Sequence, residues 1–125
     1  MVVEPFGGHG IYIDASAFLP HIPREQFPAW SLIVALYELS GIRTVALGSV
    51  AFGKKDPTTG EQSFVPVEYV RLAIPRRVYS RAHFDYVADS IIKLLSMRDQ
   101  VKGVCFTYEP KVLRHFTARF ALVDQ

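Results

Sequence analysis

Two helical stripes, each closed by a glycine and separated by a run that alternates, constrain this chain most. From Trp30, apolar Ile33, Val34, Leu36, Tyr37 and Leu39 recur at helical spacing, entered at Pro28 and stopped at Gly41. Phe84, Val87, Ala88, Ile91, Leu94 and Leu95 form a second stripe, with Ser80 available as its cap and Gly103 just beyond its end. Between them, Tyr69 to Ile74 changes period: Val70, Leu72 and Ile74 share one face, while Tyr69, Arg71 and Ala73 share the other. Short β-type runs at Ile11 to Asp14, Arg43 to Val50 (broken at Gly48-Ser49), Val104 to Tyr108 and Leu113 to Leu122 bring the expected strands to about five. Such an order alternates too little for a doubly wound sheet. It predicts an α+β fold, a small sheet with helices covering one face.

At 125 residues the chain, 1–125, reads as a single domain, and its 50% apolar content excludes disorder. A net charge of +2, with basic residues scattered apart from Arg76-Arg77, argues against nucleic-acid binding. The longest apolar run, Leu32 to Leu36, is far too short for a bilayer, and no targeting segment opens the chain, so a soluble cytoplasmic protein is expected. The lone Cys105, inside Val104-Cys105-Phe106, is expected to be a buried thiol in a reducing compartment. The stretch from Gly53 to Pro66, with Asp56-Pro57-Thr58-Thr59-Gly60, has loop chemistry.

Arg71 is the first candidate for chemistry. It interrupts an apolar strand on the face away from Val70 and Leu72, and an arginine fork on a rigid strand can grip a carboxylate through two parallel hydrogen bonds. On spacing alone an exposed arginine or an internal ion pair is the simpler account. His115 and Phe116 are adjacent on the expected strand Leu113 to Leu122 and would face opposite sides. His9, His21, His83 and Cys105 have no metal-ligand spacing, and capping or loop hydrogen bonds suit the histidines better.

Four segments nevertheless carry a resemblance: Gly7-Gly8-His9-Gly10, Phe18-Leu19-Pro20-His21-Ile22-Pro23, Val70 to Tyr79 and Tyr108 to Phe120. Over nearly its whole length the chain resembles the C-terminal part of the β-eliminating amino-acid lyases, the pyridoxal-phosphate enzymes tryptophanase and tyrosine phenol-lyase. The resemblance implies the small C-terminal domain of the aspartate-aminotransferase-like fold (fold type I), with the cofactor lysine and phosphate loop in a large domain absent here. It implies that Arg71 binds the α-carboxylate of an amino-acid substrate and that His115 and Phe116 lie near its side chain. Tryptophanases are similar to this chain in having histidine at 115 and an apolar residue at 47, where tyrosine phenol-lyases carry phenylalanine and a phenol-reading arginine; Leu47 is therefore the second discriminator. The implied reaction is cleavage of L-tryptophan to indole, pyruvate and ammonium, with this piece alone inactive. Tyrosine phenol-lyase, or a catalytically silent binding module from a truncated or split gene, is the alternative. A monovalent cation, a homo-oligomer and the large domain as partner are further implications. No catalytic, cofactor-binding or metal-ligating residue is assigned within the chain. Gly53-Lys54-Lys55-Asp56 looks like the family's Schiff-base string, but it runs into a turn and both lysines are assigned to solvent.

Overall fold

The computed structural model describes residues 1–124. The first strand, β1 (Gly10–Asp14), leads into a one-turn helix α1 (Ala15–Phe18). The long helix α2 (Pro28–Ser40) follows, then β2 (Val45–Leu47) and a second one-turn helix, α3 (Ser49–Phe52). After a loop come β3 (Tyr69–Ala73) and the second long helix, α4 (Arg81–Ser96). The chain ends with β4 (Val104–Tyr108), the short helix α5 (Arg114–Thr117) and β5 (Arg119–Leu122). The fold is α+β, as expected, but its strands form two sheets: an antiparallel β1-β3-β2 sheet and a separate antiparallel β4-β5 pair.

Both stripes fold as helices; α2 keeps the expected limits Pro28 and Gly41, whereas α4 follows Ser80 but ends at Ser96, capped at Met97 well short of Gly103. In α2, Pro28 takes the first turn, where its missing N–H costs nothing, and Gly41 ends the helix at φ 74, with its N–H bonded to the Tyr37 carbonyl at 2.7 Å. In α4, the His83 Nδ1 accepts the Ser80 backbone N–H at 3.1 Å, which gives that histidine the capping role foreseen for it. His21 likewise serves a loop, its Nε2 lying 2.9 Å from the Val101 carbonyl oxygen. Two stripe positions miss the core: Tyr37 and Ala88 are exposed.

Helices cover one face of the three-stranded sheet. Ile13, Ala46, Val70 and Leu72 point into a core with Phe18 and Leu19 beneath α1, with Leu32 and Leu36 of α2, and with Leu94 of α4. At roughly 25 cal/mol per Å² of apolar surface removed from water, this layer is the main source of stability. A second cluster ties the β4-β5 pair to α2: Phe120 stacks on Trp30 at 4.6 Å, Phe106 lies 4.7 Å from Phe120, and Phe27 meets Phe106 edge-on at 5.0 Å.

Two strand readings and one expectation of burial need correction. The run Arg43 to Val50 is a strand only over Val45–Leu47, because the chain turns at Gly48 into α3. The run Leu113 to Leu122 begins as the helical turn α5 and becomes a strand only at Arg119. Cys105, expected to be buried, is exposed, since the outer face of the β4-β5 pair has nothing packed on it.

Candidate functional site

β3 is the central strand, and the alternation of its sequence decides what each face offers. Val70 and Leu72 are buried; Tyr69 and Arg71 emerge on the other side, where no helix lies. Across the sheet Arg71 stands opposite Tyr12 of β1 and Val45 of β2, while Tyr69 stands opposite Asp14 and Leu47. Opposed residues share a face, so Arg71 and Leu47 are diagonal neighbours on the open side, at a spacing of about 7–8 Å for strands of this kind. Arg71 Nε lies 3.4 Å from where a Cβ at Gly10 would stand, so the absence of a side chain there leaves room for the guanidinium over β1. Among the described residues Arg71 has neither an ion pair nor a side-chain hydrogen bond. Among the described residues, the internal ion pair that would have explained it structurally is absent.

His115 and Phe116 do not sit on a strand, and the objection that they must face opposite ways disappears with it. On the turn of α5 their rings lie 4.2 Å apart, tilted by 43°. Phe116 is 74% exposed, and His115 lines a groove of about 860 Å³ that runs past Ala51, Gly53, Lys55 and Lys111. The structure thus groups the four candidates as two pairs, Arg71 with Leu47 on the sheet and His115 with Phe116 on α5.

What joins the pairs is a residue that the sequence reading passed over. Arg114 is buried, and its five N–H donors meet five acceptors. Nε donates to the Val50 carbonyl at 2.8 Å; one terminal nitrogen donates to Ser49 O at 2.6 Å and Gly53 O at 3.0 Å. The other donates to Gln62 Oε1 at 2.7 Å and Glu109 Oε1 at 2.6 Å. The guanidinium also lies 5.1 Å over the Phe106 ring. Its backbone acceptors are carbonyls of α3 and its C-cap; Ser49 O also accepts the Gly53 N–H at 2.9 Å, while carbonyls in the last turn of a helix otherwise lack intrahelical partners. α3 starts two residues after Leu47, so Arg114 fastens α5 to the segment that continues β2.

Glu68 is the second residue passed over. It lies in register with Val70 and Leu72 and so points to the buried face, a carboxylate that needed partners. Its Oε1 accepts the Ser49 N–H at 2.8 Å and its Oε2 the Ala29 N–H at 3.4 Å, at the starts of α3 and α2. A charge at two helix N-termini is favourably placed. The period of β3, extended one step back, could have exposed it.

The loop lysines of the Gly53-Lys54-Lys55-Asp56 string lie at the surface. Lys54 and Lys55 are exposed, and Lys55 Nζ lies 3.4 Å from Glu109 Oε2. Imine formation calls for a desolvated lysine, the opposite of this exposed setting. Beside them Asp56 organises a turn. Backbone N–H groups of Thr59 and Thr58 hold its carboxyl below the usual value. Among the described residues no group of three or more His, Cys, Asp and Glu could hold a metal ion, and no helix is long and apolar enough to cross a membrane.

Comparison with known proteins agrees with the segments that carried the resemblance. The chain is 53% identical over 119 residues to tyrosine phenol-lyase of Pasteurella multocida (strain Pm70), covering 95% of this chain and 26% of that protein. It is 51% identical over 119 residues to tyrosine phenol-lyase of Symbiobacterium thermophilum, again 95% of this chain and 26% of the relative. It is 48% identical over 118 residues to tryptophanase of Haemophilus influenzae (strain 86-028NP), covering 94% and 25%. The chain is thus similar to the C-terminal region of β-eliminating lyases. It spans about a quarter of the length of these relatives and matches their C-terminal region. No family model matches it.

Proposed function

We propose that this β-eliminating lyase segment is the substrate-side part of a tryptophanase-like, pyridoxal-phosphate-dependent enzyme that cleaves L-tryptophan to indole, pyruvate and ammonium. The observation that carries the reading is the Arg71 guanidinium, unpaired among the described residues, on the open sheet face. A buried or half-buried arginine ordinarily recruits a carboxylate of its own chain; one left without it has its fork free for a carboxylate from elsewhere. In this reading Arg71 holds the α-carboxylate, and Leu47 on the same face presents an apolar surface to the substrate side chain. His115 and Phe116, ring against ring, add an aromatic wall. These residues bind and orient. The cofactor, whose electron sink the elimination requires, would be held by the large domain that the relatives' additional length implies, together with the monovalent cation the resemblance points to.

The exposed apolar side chains of Val45, Val112, Leu113 and Phe116 suit a segment that is covered by that domain or by a second copy in a homo-oligomer. Tyrosine phenol-lyase is the second reading; the identities to proteins of that name run from 48 to 53%, against 48% for tryptophanase. Grafting residues 1–125 in place of the corresponding region of the Pasteurella multocida enzyme tests both. A chimaera that cleaves tryptophan, and loses most of its kcat/KM on Arg71→Lys, supports the proposal; one that prefers tyrosine selects the second reading. A folded, cofactor-loaded chimaera inactive on both marks the chain as a silent module.

A further inference from the structure

The turn that carries His115 and Phe116 has almost nothing of its own to hold it. A single helical turn is unstable in isolation, and Leu113, at its N-cap, sits at φ 49 with no side-chain cap. Leu113 and Phe116 are 64% and 74% exposed, so neither anchors the turn by burial. Arg114 is the one buried residue of α5, and each of its five donors is taken up by the rest of the protein.

From this geometry we propose that Arg114 is a positioning residue for the His115–Phe116 pair, and that the loop from Gly53 to Gln62, with Glu109, is its socket. The inference rests on the assignment of that pair to the substrate side chain. The acceptors lie at three places in the sequence: Ser49 and Val50 in α3, Gly53 and Gln62 at the two ends of the loop, and Glu109 before α5. A planar fork spans such a set; an ammonium, with three donors on one atom, does not. Gly53 is part of the fit, since a Cβ there would overlap the Ser49 and Ser63 carbonyl oxygens and push the loop off the guanidinium. Glu109 is in turn braced by Lys55, so changes in the loop reach the imidazole through Glu109 and Arg114 without touching the core. The loop thereby becomes a determinant of side-chain selectivity even though it does not itself carry a recognition group.

The test uses the isotopically labelled 125-residue chain and its Arg114→Lys variant. At 4.2 Å from the Phe116 ring, the His115 imidazole protons should show a ring-current displacement in the parent protein. Arg114→Lys, which conserves charge, should reduce that displacement by more than half. It should also speed amide exchange at Gly53 and Ala118 on the order of tenfold, with the Val70 amide unchanged. Gln62→Ala, which removes a single acceptor near the surface, should move the same His115 signals in the same direction and covers the case in which Arg114→Lys does not fold. His115 signals unmoved in a folded variant whose Gly53 exchange has risen would overturn the proposal, since Arg114 would then merely fill the end of α3. No substrate or cofactor enters this measurement, so an inactive chimaera leaves it standing and its failure leaves the lyase reading intact.

Discussion

The Glu68 carboxylate occupies the space that a side chain at Gly48 would need: a Cβ built at position 48 overlaps its oxygens. That exclusion explains why the chain can turn from β2 into α3 at this point. The carboxylate stands beside Gly48 to take the Ser49 N–H, and with the Ala29 N–H it fixes the starts of two helices at once. Gly48→Ala should therefore destabilise the protein by about 1–3 kcal/mol through overpacking, and Glu68→Gln by a similar amount through a misfitted amide facing backbone donors. Urea unfolding of each variant measures both. Because the two residues share one space, Gly48→Ala combined with Glu68→Ala should cost less than the sum of the two single changes; strict additivity would mean that the contact has no energetic weight.

Arg71 should behave oppositely. With no internal partner among the described residues, Arg71→Ala in the isolated chain is expected to change stability by no more than about 0.5 kcal/mol, as for an ordinary surface position. A loss beyond 1.5 kcal/mol or so in the same unfolding experiment would show that the side chain supports the sheet, and would weaken its assignment to a substrate.

Cys105 should react with a thiol reagent such as dithionitrobenzoate, one equivalent per chain, without denaturant, because its side chain lies on the uncovered face of the β4-β5 pair. Labelling that waits for unfolding would mean that this face is covered in solution, by a second copy for instance.

Much of this architecture is legible in the sequence, and the failures have a common origin. Helix α2 follows from Pro28, its apolar period and Gly41, and β3 from a clean alternation; each signal is local. At Val50 and over Arg114–Thr117 the residue types read as strand, and the helical turns form because partners distant in sequence supply the bonds: Glu68 for the start of α3, Arg114 for its end and for α5 itself. Tertiary contacts override propensity in such short segments. The same applies to the candidate site. Arg71 and Leu47 could be placed on one face from period and pairing, whereas the closeness of the His115 and Phe116 rings depends on a buried arginine whose acceptors lie about 50 to 65 residues away, apart from Glu109.

The turn at Asp56 gives a prediction in pH. Hydrogen bonds from the Thr59 and Thr58 amides depress the folded-state carboxyl below its usual 3.8. A depressed folded value means that the contribution to the turn is present above the unfolded value and is lost as pH falls through the folded one. Titration of the Asp56 carboxyl carbon by NMR should give a midpoint below 3.8, with the Thr58 and Thr59 amide signals moving on the same curve. A midpoint at or above 3.8 would place the carboxylate outside the turn.

Selectivity is the sharpest test of the site. Leu47 lies on the face that carries Arg71 and offers no hydrogen bond, so a phenolic oxygen directed there would lose its water without replacement, at a cost of about 1–3 kcal/mol. Indole is mostly apolar at that point and loses less. In the grafted enzyme, kcat/KM for tryptophan should exceed that for tyrosine, and Leu47→Arg should shift the ratio toward tyrosine by roughly ten- to a hundredfold by giving the phenol a charged donor. The substitution is tolerable for folding because β2 is an edge strand and Leu47 points away from the helices, so a long basic side chain can leave the sheet without entering the core. If the ratio stays constant while the variant folds and binds cofactor, the side chain of the substrate does not approach Leu47, and the recognition surface would have to be sought at His115 and Phe116 alone.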